Sequence, residues 1–276
     1  TSLDLNMQQL LQGAVDNGLA EFTEQNEEGI FTLQASAVCV DNHSGYVKAI
    51  VGGRNQDLPG YTLNRAYQSF RQPGSAIKPL IVYTPALERG YTPNSMVEDV
   101  KTEEGPANAG GGYEGNISLR YAVQTSKNTV AWNMLEELTP EVGLSYLKEM
   151  KFSRLDKQDV RPTSALGGFT NGVSAVEMAS AYAALENDGK YREPTCIMKI
   201  TDADNQILYA DISCGTVPEG ATLVLWLVQK DMAKSVDVTD LSEPLEYPLS
   251  EFENGKLHVR LQINGVENTV SEIYIQ

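Results

Sequence analysis

The sequence is short of positive charge: 21 lysines and arginines face 37 aspartates and glutamates, a formal charge of −16. Such a chain repels polyanions, so nucleic acid is not an expected partner. Long apolar runs are also missing. The longest, near Leu223 to Val228, falls far short of the roughly 20 residues that cross a bilayer. Histidine is scarce, and neither His43, in a turn-forming cluster, nor His258, in an alternating strand pattern, has neighbours spaced for catalysis or metal binding. Cys39, Cys196 and Cys214 show no metal-ligand spacing, and an odd number cannot pair fully within one chain. They read as buried thiols, since free cysteine behaves as a small hydrophobe. The opening, TSLDLNMQQL, shows no charged start, apolar stretch and small-residue cleavage site; it reads like the interior of a longer protein, and an anchor is expected to lie outside it.

What is present describes a globular protein. Apolar residues make up 41% and charged residues 21% of 276, enough for one large domain, or one large and one small. LNMQQLLQGAVDNGLAEF has helical spacing with Leu5, Leu10, Leu11, Val15, Leu19 and Phe22 on one side. ASAVCVDNHSGYVKAIVGG reads as an antiparallel hairpin around Asp41 to Gly45. IKPLIVYTPALERG is a helix closed by Gly90, and Glu103 to Gly115 is a glycine-rich exposed loop. SLRYAVQTSKNTVAWNMLEEL and TPEVGLSYLKEM carry helical spacing, the second with Thr139 as cap and Pro140 in its first turn. Ser174 and Glu177 form a capping box for a helix ended by Gly189, and CIMKITDADNQILYA is a further hairpin turning at Asp202 to Asn205. Helices gathered between hairpins predict an α+β fold, a mixed sheet covered by helices. From Ser213 onward the runs TLVLWLV, SVDVTD, KLHVRLQING and TVSEIYIQ are short and β-prone, with turns at Glu253-Asn254-Gly255 and Asn264-Gly265. Trp132 and Trp226 lie in apolar runs and are expected in the core.

RQPGSAIKPL contains a serine three positions before a lysine. The pattern alone is weak, because about one chance match is expected in a chain of this size. A second copy, Ser145 to Lys148, supplies a control: Val142, Leu144 and Leu147 make the apolar side there and leave Lys148 to water. Ser75 has a different setting. Gly74 permits close backbone approach, and Pro79 is tolerated only near a helix start, so Ser75 belongs in the first turn beside free backbone N–H groups. Lys78 projects from the same face one turn later, where burial and the positive helix end favour its neutral amine. Two readings stand: an activated nucleophile, or a helix-capping serine beside a surface lysine.

RQPGSAIKPLIVYTPALERGYTPNS closely resembles the nucleophile segment of penicillin-binding protein transpeptidases, particularly the class A bifunctional type, whose transpeptidase domain is C-terminal. AVCVDNHSGYVKAIVGGRN and NRAYQSFRQPGS are similar to the hairpin and approach preceding that serine. GNISLRYAVQTSKNTVAWNMLEEL resembles the second motif region, and ALGGFTNGVSAVEMASAYAALENDGKY the later helix with its lead-in loop. The resemblance runs from about residue 1 to about 212. It implies the penicillin-binding protein and serine β-lactamase fold, with Ser75 as the acylated serine and Lys78 as its general base. Ser126 would relay a proton to the leaving amine, and the Asn128 amide would hold Lys78 and a substrate carbonyl. The implied reaction is D,D-transpeptidation: attack on a peptidoglycan stem peptide ending in D-Ala-D-Ala, loss of the terminal residue, and acyl transfer to a neighbouring amine. β-Lactams would acylate the same serine as covalent inhibitors, and no metal or organic cofactor is implied. The expected location is the outer face of a bacterial cell membrane, reached only through an anchor outside this chain.

One family feature is absent. Neither Lys-Thr-Gly nor Lys-Ser-Gly occurs in the sequence; Lys101-Thr102 continues with Glu103, and Ser213-Cys214-Gly215-Thr216 has no cation for a substrate carboxylate. An oxyanion donor supplied by that strand is worth about a hundredfold to a thousandfold in rate. The expected division is therefore a transpeptidase-like part at 1–212, read as missing an internal stretch near Ile212, and a β-rich segment at 213–276. The latter consists either of closing strands of the main sheet or of a small PASTA-like or immunoglobulin-like appendage. The rival functional reading is a non-catalytic scaffold that binds cell-wall peptides; a β-lactamase-like hydrolase is a third, without an identifiable base for deacylation.

Overall fold

The computed structural model describes residues 1–55 and 62–201, together with strands at 207–210, 223–229, 232–237, 255–263 and 266–275. The expected turns at Asp202 to Asn205, Glu253-Asn254 and Asn264-Gly265, and the stretch Ser213-Cys214-Gly215-Thr216, lie outside the described residues.

Helix α1 (Leu5–Gly18) starts where Asp4 Oδ1 accepts the Asn6 and Met7 amides at 2.8 and 3.0 Å. It stops short of Phe22, and its apolar side is only partly covered: Leu11, Val15 and Leu19 are half-buried, while Leu5 is 77% and Leu10 74% exposed. The helix also attaches through a polar contact. After strand β1 (Ala37–Val40) comes its antiparallel partner β2 (Val47–Val51), and the Gln8 amide pairs with both Ile50 backbone groups, at 2.8 and 2.9 Å, as a neighbouring strand would. His43, in the hairpin turn, faces Asn187 Oδ1 at 3.0 Å.

Short helix α2 (Arg65–Gln68) leads into the segment that carries Ser75. That segment is a single rod with three pitches: a 3-10 turn at Gly74–Ile77, a π-helical turn at Pro79–Tyr83, and α3 (Thr84–Glu88). Pro79 explains the change. It has no amide to reach back to the Ser75 carbonyl, so the Lys78 amide bonds that carbonyl across the tighter 3-10 span. The Thr84 amide and hydroxyl then both serve the Pro79 carbonyl, the hydroxyl at 2.8 Å.

Strands β3 (Met96–Asp99) and β4 (Gly115–Ser118) form a second hairpin, whose loop precedes helix α4 (Leu119–Gln124). Helix α5 (Asn128–Leu138) follows after a break at Ser126, and α6 (Pro140–Glu149) after Thr139. Pro140 occupies the first turn as expected, but Thr139 donates no side-chain cap; at φ 72° its backbone makes a sharp corner instead. The capping box of Ser174 and Glu177 opens α7 (Ala175–Glu186), and Gly189, at φ +80°, closes it by bonding the Ala184 carbonyl at 2.8 Å. Helices α1 and α7 pack against the β1–β2 hairpin.

Strands β5 (Lys199–Thr201) and β6 (Ile207–Ala210) pair antiparallel. Strands β7 (Leu223–Gln229), β8 (Met232–Asp237), β9 (Gly255–Ile263) and β10 (Val266–Ile275) form one antiparallel sheet in the order β10-β9-β7-β8. Among the described residues every ladder is antiparallel, and Tyr46 and Thr195 make one parallel bridge. The architecture is α+β.

The core forms around the rod. Ile77, Leu80, Ile81 and Val82 are fully buried against Leu135 of α5 and Leu147 of α6. Gly143 brings α6 directly onto the Ile81 carbonyl, where a Cβ would stand 2.6 Å away. The cysteines depart from expectation: Cys39 is half-buried and Cys196 exposed, and Cys214 lies outside the described residues. Cys196 follows the last residue bridged to the hairpin; its carbonyl accepts the Ser2 amide at 3.0 Å, and the residue as a whole is exposed. Trp132 is partly buried, while the Trp226 side chain is outside the described residues.

Leu135→Ala is expected to cost about 2–5 kcal/mol in chemical denaturation, from lost burial and the cavity left behind. Leu10→Ala should stay within about 0.5 kcal/mol. Equal losses at the two positions would contradict this placement of the core.

Candidate active site

Ser75 sits in the 3-10 turn, where residues three apart stand on the same face, so Ser75 and Lys78 share one side of the rod. Ser75 is exposed and its hydroxyl has no hydrogen-bond partner among the described residues. Lys78 is its opposite: 1% exposed, and the largest fully buried side chain among the described residues. Its Nζ lies 2.7 Å from the Ser126 carbonyl, 3.0 Å from Ser126 Oγ and 2.7 Å from Asn128 Oδ1. Ser75 Oγ is not among these contacts. Burial pushes the Lys78 amine down to about 8.

The three contacts differ in kind. The Ser126 carbonyl and Asn128 Oδ1 can only accept, so they occupy two N–H groups in either protonation state. Ser126 Oγ can accept or donate. When Lys78 is an ammonium the hydroxyl accepts; when it is a neutral amine the hydroxyl can donate to its lone pair. The pocket therefore holds both forms and offers a path for a proton between position 78 and position 126.

The turn that supplies these groups is itself held by buried polar contacts. Ser126 has φ 53°, an uncommon conformation for a residue with a Cβ, and it breaks the expected helix into α4 and α5. The Asn128 amide donates to Asn108 Oδ1 at 2.8 Å, and Asn128 Nδ2 donates to the Ala107 carbonyl at 3.0 Å. Asn108 is buried, which corrects the expectation of a wholly exposed loop from Glu103 to Gly115. Below it lies Asp99, with no exposure. Burial alone would raise its carboxyl, but hydrogen bonds from Thr129, Asn108, Lys127 and the Glu114 amide outweigh that and hold it down to about 2.

The Ser75 turn is fixed from the other side. Arg71 and Val173 exchange backbone hydrogen bonds at 2.9 and 2.8 Å. The Gln72 amide bonds both backbone groups of Phe169, and Tyr182 of α7 donates its hydroxyl to the Ala76 carbonyl at 2.7 Å. Gly167, at φ +82°, lies so close to Gly74 that a Cβ would collide with the Gly74 amide and carbonyl.

The control serine behaves differently. Ser145 and Lys148 are exposed on α6, and Ser145 Oγ donates to the Val142 carbonyl at 2.7 Å.

A family model for the penicillin binding protein transpeptidase domain matches residues 35–231, more than half of the chain. The chain belongs to the penicillin-binding protein transpeptidase family. Penicillin-binding protein 1F of Bacillus subtilis is 38% identical over 190 residues, 67% of this chain and 25% of that protein. Penicillin-binding protein 1A of Clostridium acetobutylicum is 32% identical over 227 residues, 75% of this chain and 28% of that protein. The chain thus spans little more than a quarter of these relatives. Among solved structures, penicillin-binding protein 1A from Haemophilus influenzae superposes with a TM-score of 0.55 at 29% identity, covering 69% of this chain and 30% of that one. PonA1 from Mycobacterium tuberculosis superposes with a TM-score of 0.62 at 18% identity, covering all of this chain and 74% of that one, and shows the same fold.

Within this transpeptidase domain, Lys127 does not stand in for the missing Lys-Thr-Gly or Lys-Ser-Gly lysine. It is 9% exposed and tied to Glu114 at 2.6 Å and Asp99 at 3.1 Å, so its charge is already balanced. The candidate third-motif stretch at Ser213 to Thr216 lies outside the described residues. No group of three or more histidine, cysteine, aspartate or glutamate side chains is arranged to hold a metal among the described residues, and none of their helices is long and apolar enough to cross a membrane.

Sequence reasoning overlooked Asp99, Asn108, Gln72, Gly167 and Tyr182. Asp99 had a readable signal, because β3 alternates and Val97 faces inward, so the residue two positions on must do so too. Gly167→Ala is expected to cost about 1–3 kcal/mol in thermal melts, since the added methyl displaces the Gly74 backbone at a left-handed position. A neutral outcome would show that the two loops are not in contact.

Proposed function

We propose that this domain is a serine acyltransferase that cross-links peptidoglycan stem peptides, with Ser75, Lys78, Ser126 and Asn128 as its site. The observation that carries the reading is Lys78: a buried amine, pushed down to about 8, held on the face of the rod that presents Ser75. A lysine on the surface would be an ammonium at neutral pH and could accept nothing; this one is close enough to neutrality to serve as a base.

In the proposed reaction Ser75 Oγ attacks the carbonyl carbon of the penultimate D-alanine and its proton passes to Lys78 Nζ. The tetrahedral intermediate collapses as Ser126 Oγ hands a proton to the departing nitrogen and takes one from Lys78 in return. D-alanine leaves, and the acyl group stays on Ser75 as an ester. An amine from a neighbouring stem then attacks the ester carbon, and its proton returns through the same groups to Ser75. Asn128 keeps its Oδ1 on Lys78 while its Nδ2 donates to the Ala107 carbonyl. A β-lactam follows the first half of this path, with the ring nitrogen as leaving group still tethered to the acyl chain. The first half needs no metal or organic cofactor. Residues 1–212 are taken as the transpeptidase-like part and 213–276 as the β-rich segment, on the outer face of a bacterial membrane.

The absent Lys-Thr-Gly or Lys-Ser-Gly motif and the sequestered Lys127 favour a second reading, a non-catalytic scaffold for cell-wall peptides. Labelling with a fluorescent penicillin separates the two. The acyltransferase reading expects a covalent adduct, found by mass spectrometry, that Ser75→Ala abolishes and Ser145→Ala leaves intact. No adduct at saturating reagent supports the scaffold. The acylation rate should climb as pH rises through about 8, because only the neutral form of Lys78 accepts the proton, and level off above it. A rate that is flat from about pH 7 to about pH 10 would remove Lys78 from the role of base.

A further inference from the structure

Asp99 ends β3 on the inward face and is fully buried. Its Oδ1 accepts from Thr129 Oγ1 at 2.5 Å and Asn108 Nδ2 at 2.6 Å. Its Oδ2 accepts the Glu114 amide at 3.0 Å and lies 3.1 Å from Lys127 Nζ. None of these groups touches Ser75 or Lys78. Asn108, Lys127 and Thr129 are each one step removed from the groups that do. Asn108 Oδ1 receives the amides of Asn128 at 2.8 Å and Thr129 at 3.3 Å, Lys127 sits between Ser126 and Asn128, and Thr129 follows them. Ser126 holds a left-handed backbone, which persists only where its surroundings over-determine it.

We propose that Asp99 is a positioning residue: its buried carboxylate clamps Asn108, Thr129 and Lys127 and so fixes the 126–128 turn at the height where Ser126 and Asn128 meet Lys78. A charged group is needed there for two reasons. Asn108 must present its oxygen to the Asn128 amide, and it does so because its nitrogen is drawn to the carboxylate. Lys127 is nearly buried, and without Asp99 its charge would rest on the half-exposed Glu114 alone, so the turn would open to hydrate it. Lys127 in this place is thus a strut of the turn rather than a substrate contact. The inference deepens the acyltransferase reading and rests on it for its catalytic consequence, while the structural clamp is testable by itself.

The test compares Asp99→Asn, Thr129→Val and Glu114→Gln with the unaltered chain by two measurements. In hydrogen exchange, Asp99→Asn should reduce protection of the Asn128 and Thr129 amides by about tenfold to hundredfold while Met134 in α5 keeps its own. Thr129→Val, which keeps the side-chain volume and removes one donor to the carboxylate, should move the Asn128 amide the same way by a smaller factor, and it serves if Asp99→Asn does not fold. Glu114→Gln should leave the turn amides within about twofold, because Asp99 still holds Lys127. In fluorescent-penicillin labelling, Asp99→Asn should lower the acylation rate constant by about tenfold or more with the labelled fraction unchanged. A protein that is merely less stable would lose labelled fraction at an unchanged rate constant. The proposal is overturned if the turn amides keep their protection in both Asp99→Asn and Thr129→Val, or if Glu114→Gln matches Asp99→Asn. If the unaltered chain takes no label, the acyltransferase reading falls, and amide protection alone decides the clamp.

Discussion

An amine that must lose its proton at ordinary pH cannot be left in water, and an amine out of water must have partners for its N–H groups. Lys78 meets both conditions through one short turn. Burial depresses its proton affinity, and Ser126 and Asn128 supply two obligate acceptors and one hydroxyl that can change roles. Everything else near the site can be understood as what it takes to bring residue 78 and residues 126–128 together and keep them there.

Two separate devices do this. On the side of Ser75, Pro79 forces a 3-10 turn that aligns positions 75 and 78, and the 167–173 loop braces that turn by backbone contact, with glycines wherever a side chain would intrude. On the side of Ser126, a buried carboxylate and its donors hold a strained turn between two helices. The first device uses shape and the second uses charge. Both bear on Lys78, which one carries and the other's turn caps, so the amine's environment reports on both.

Much of this could be read from the sequence, and the divisions are instructive. The serine and lysine at 75 and 78 were separable from the matching pair at 145 and 148 because Gly74 and Pro79 mark a helix start, whereas Val142, Leu144 and Leu147 mark a helix middle. Hairpins, the 174–177 capping box and the Gly189 stop follow local rules and appear where those rules place them. The buried polar support was harder to see. Asn108 looks like any residue of a glycine-rich loop, and only the fold shows it beneath Asn128. The split of the 118–138 stretch at Ser126 was hidden because helical spacing continues across it. Helix α1 was legible as an amphipathic helix, but its anchoring was not: Gln8 binds the β2 backbone, a contact that apolar spacing does not announce.

The most direct measurement of the central claim is the titration of the Lys78 amine itself, followed by NMR in protein labelled at the lysine ε-carbon. The account predicts a midpoint near 8, far below the ordinary lysine value of 10.5, together with a downward shift that disappears when the protein is unfolded. A Lys78 that titrates with the surface lysines would contradict it, since an amine that stays protonated cannot receive the Ser75 proton.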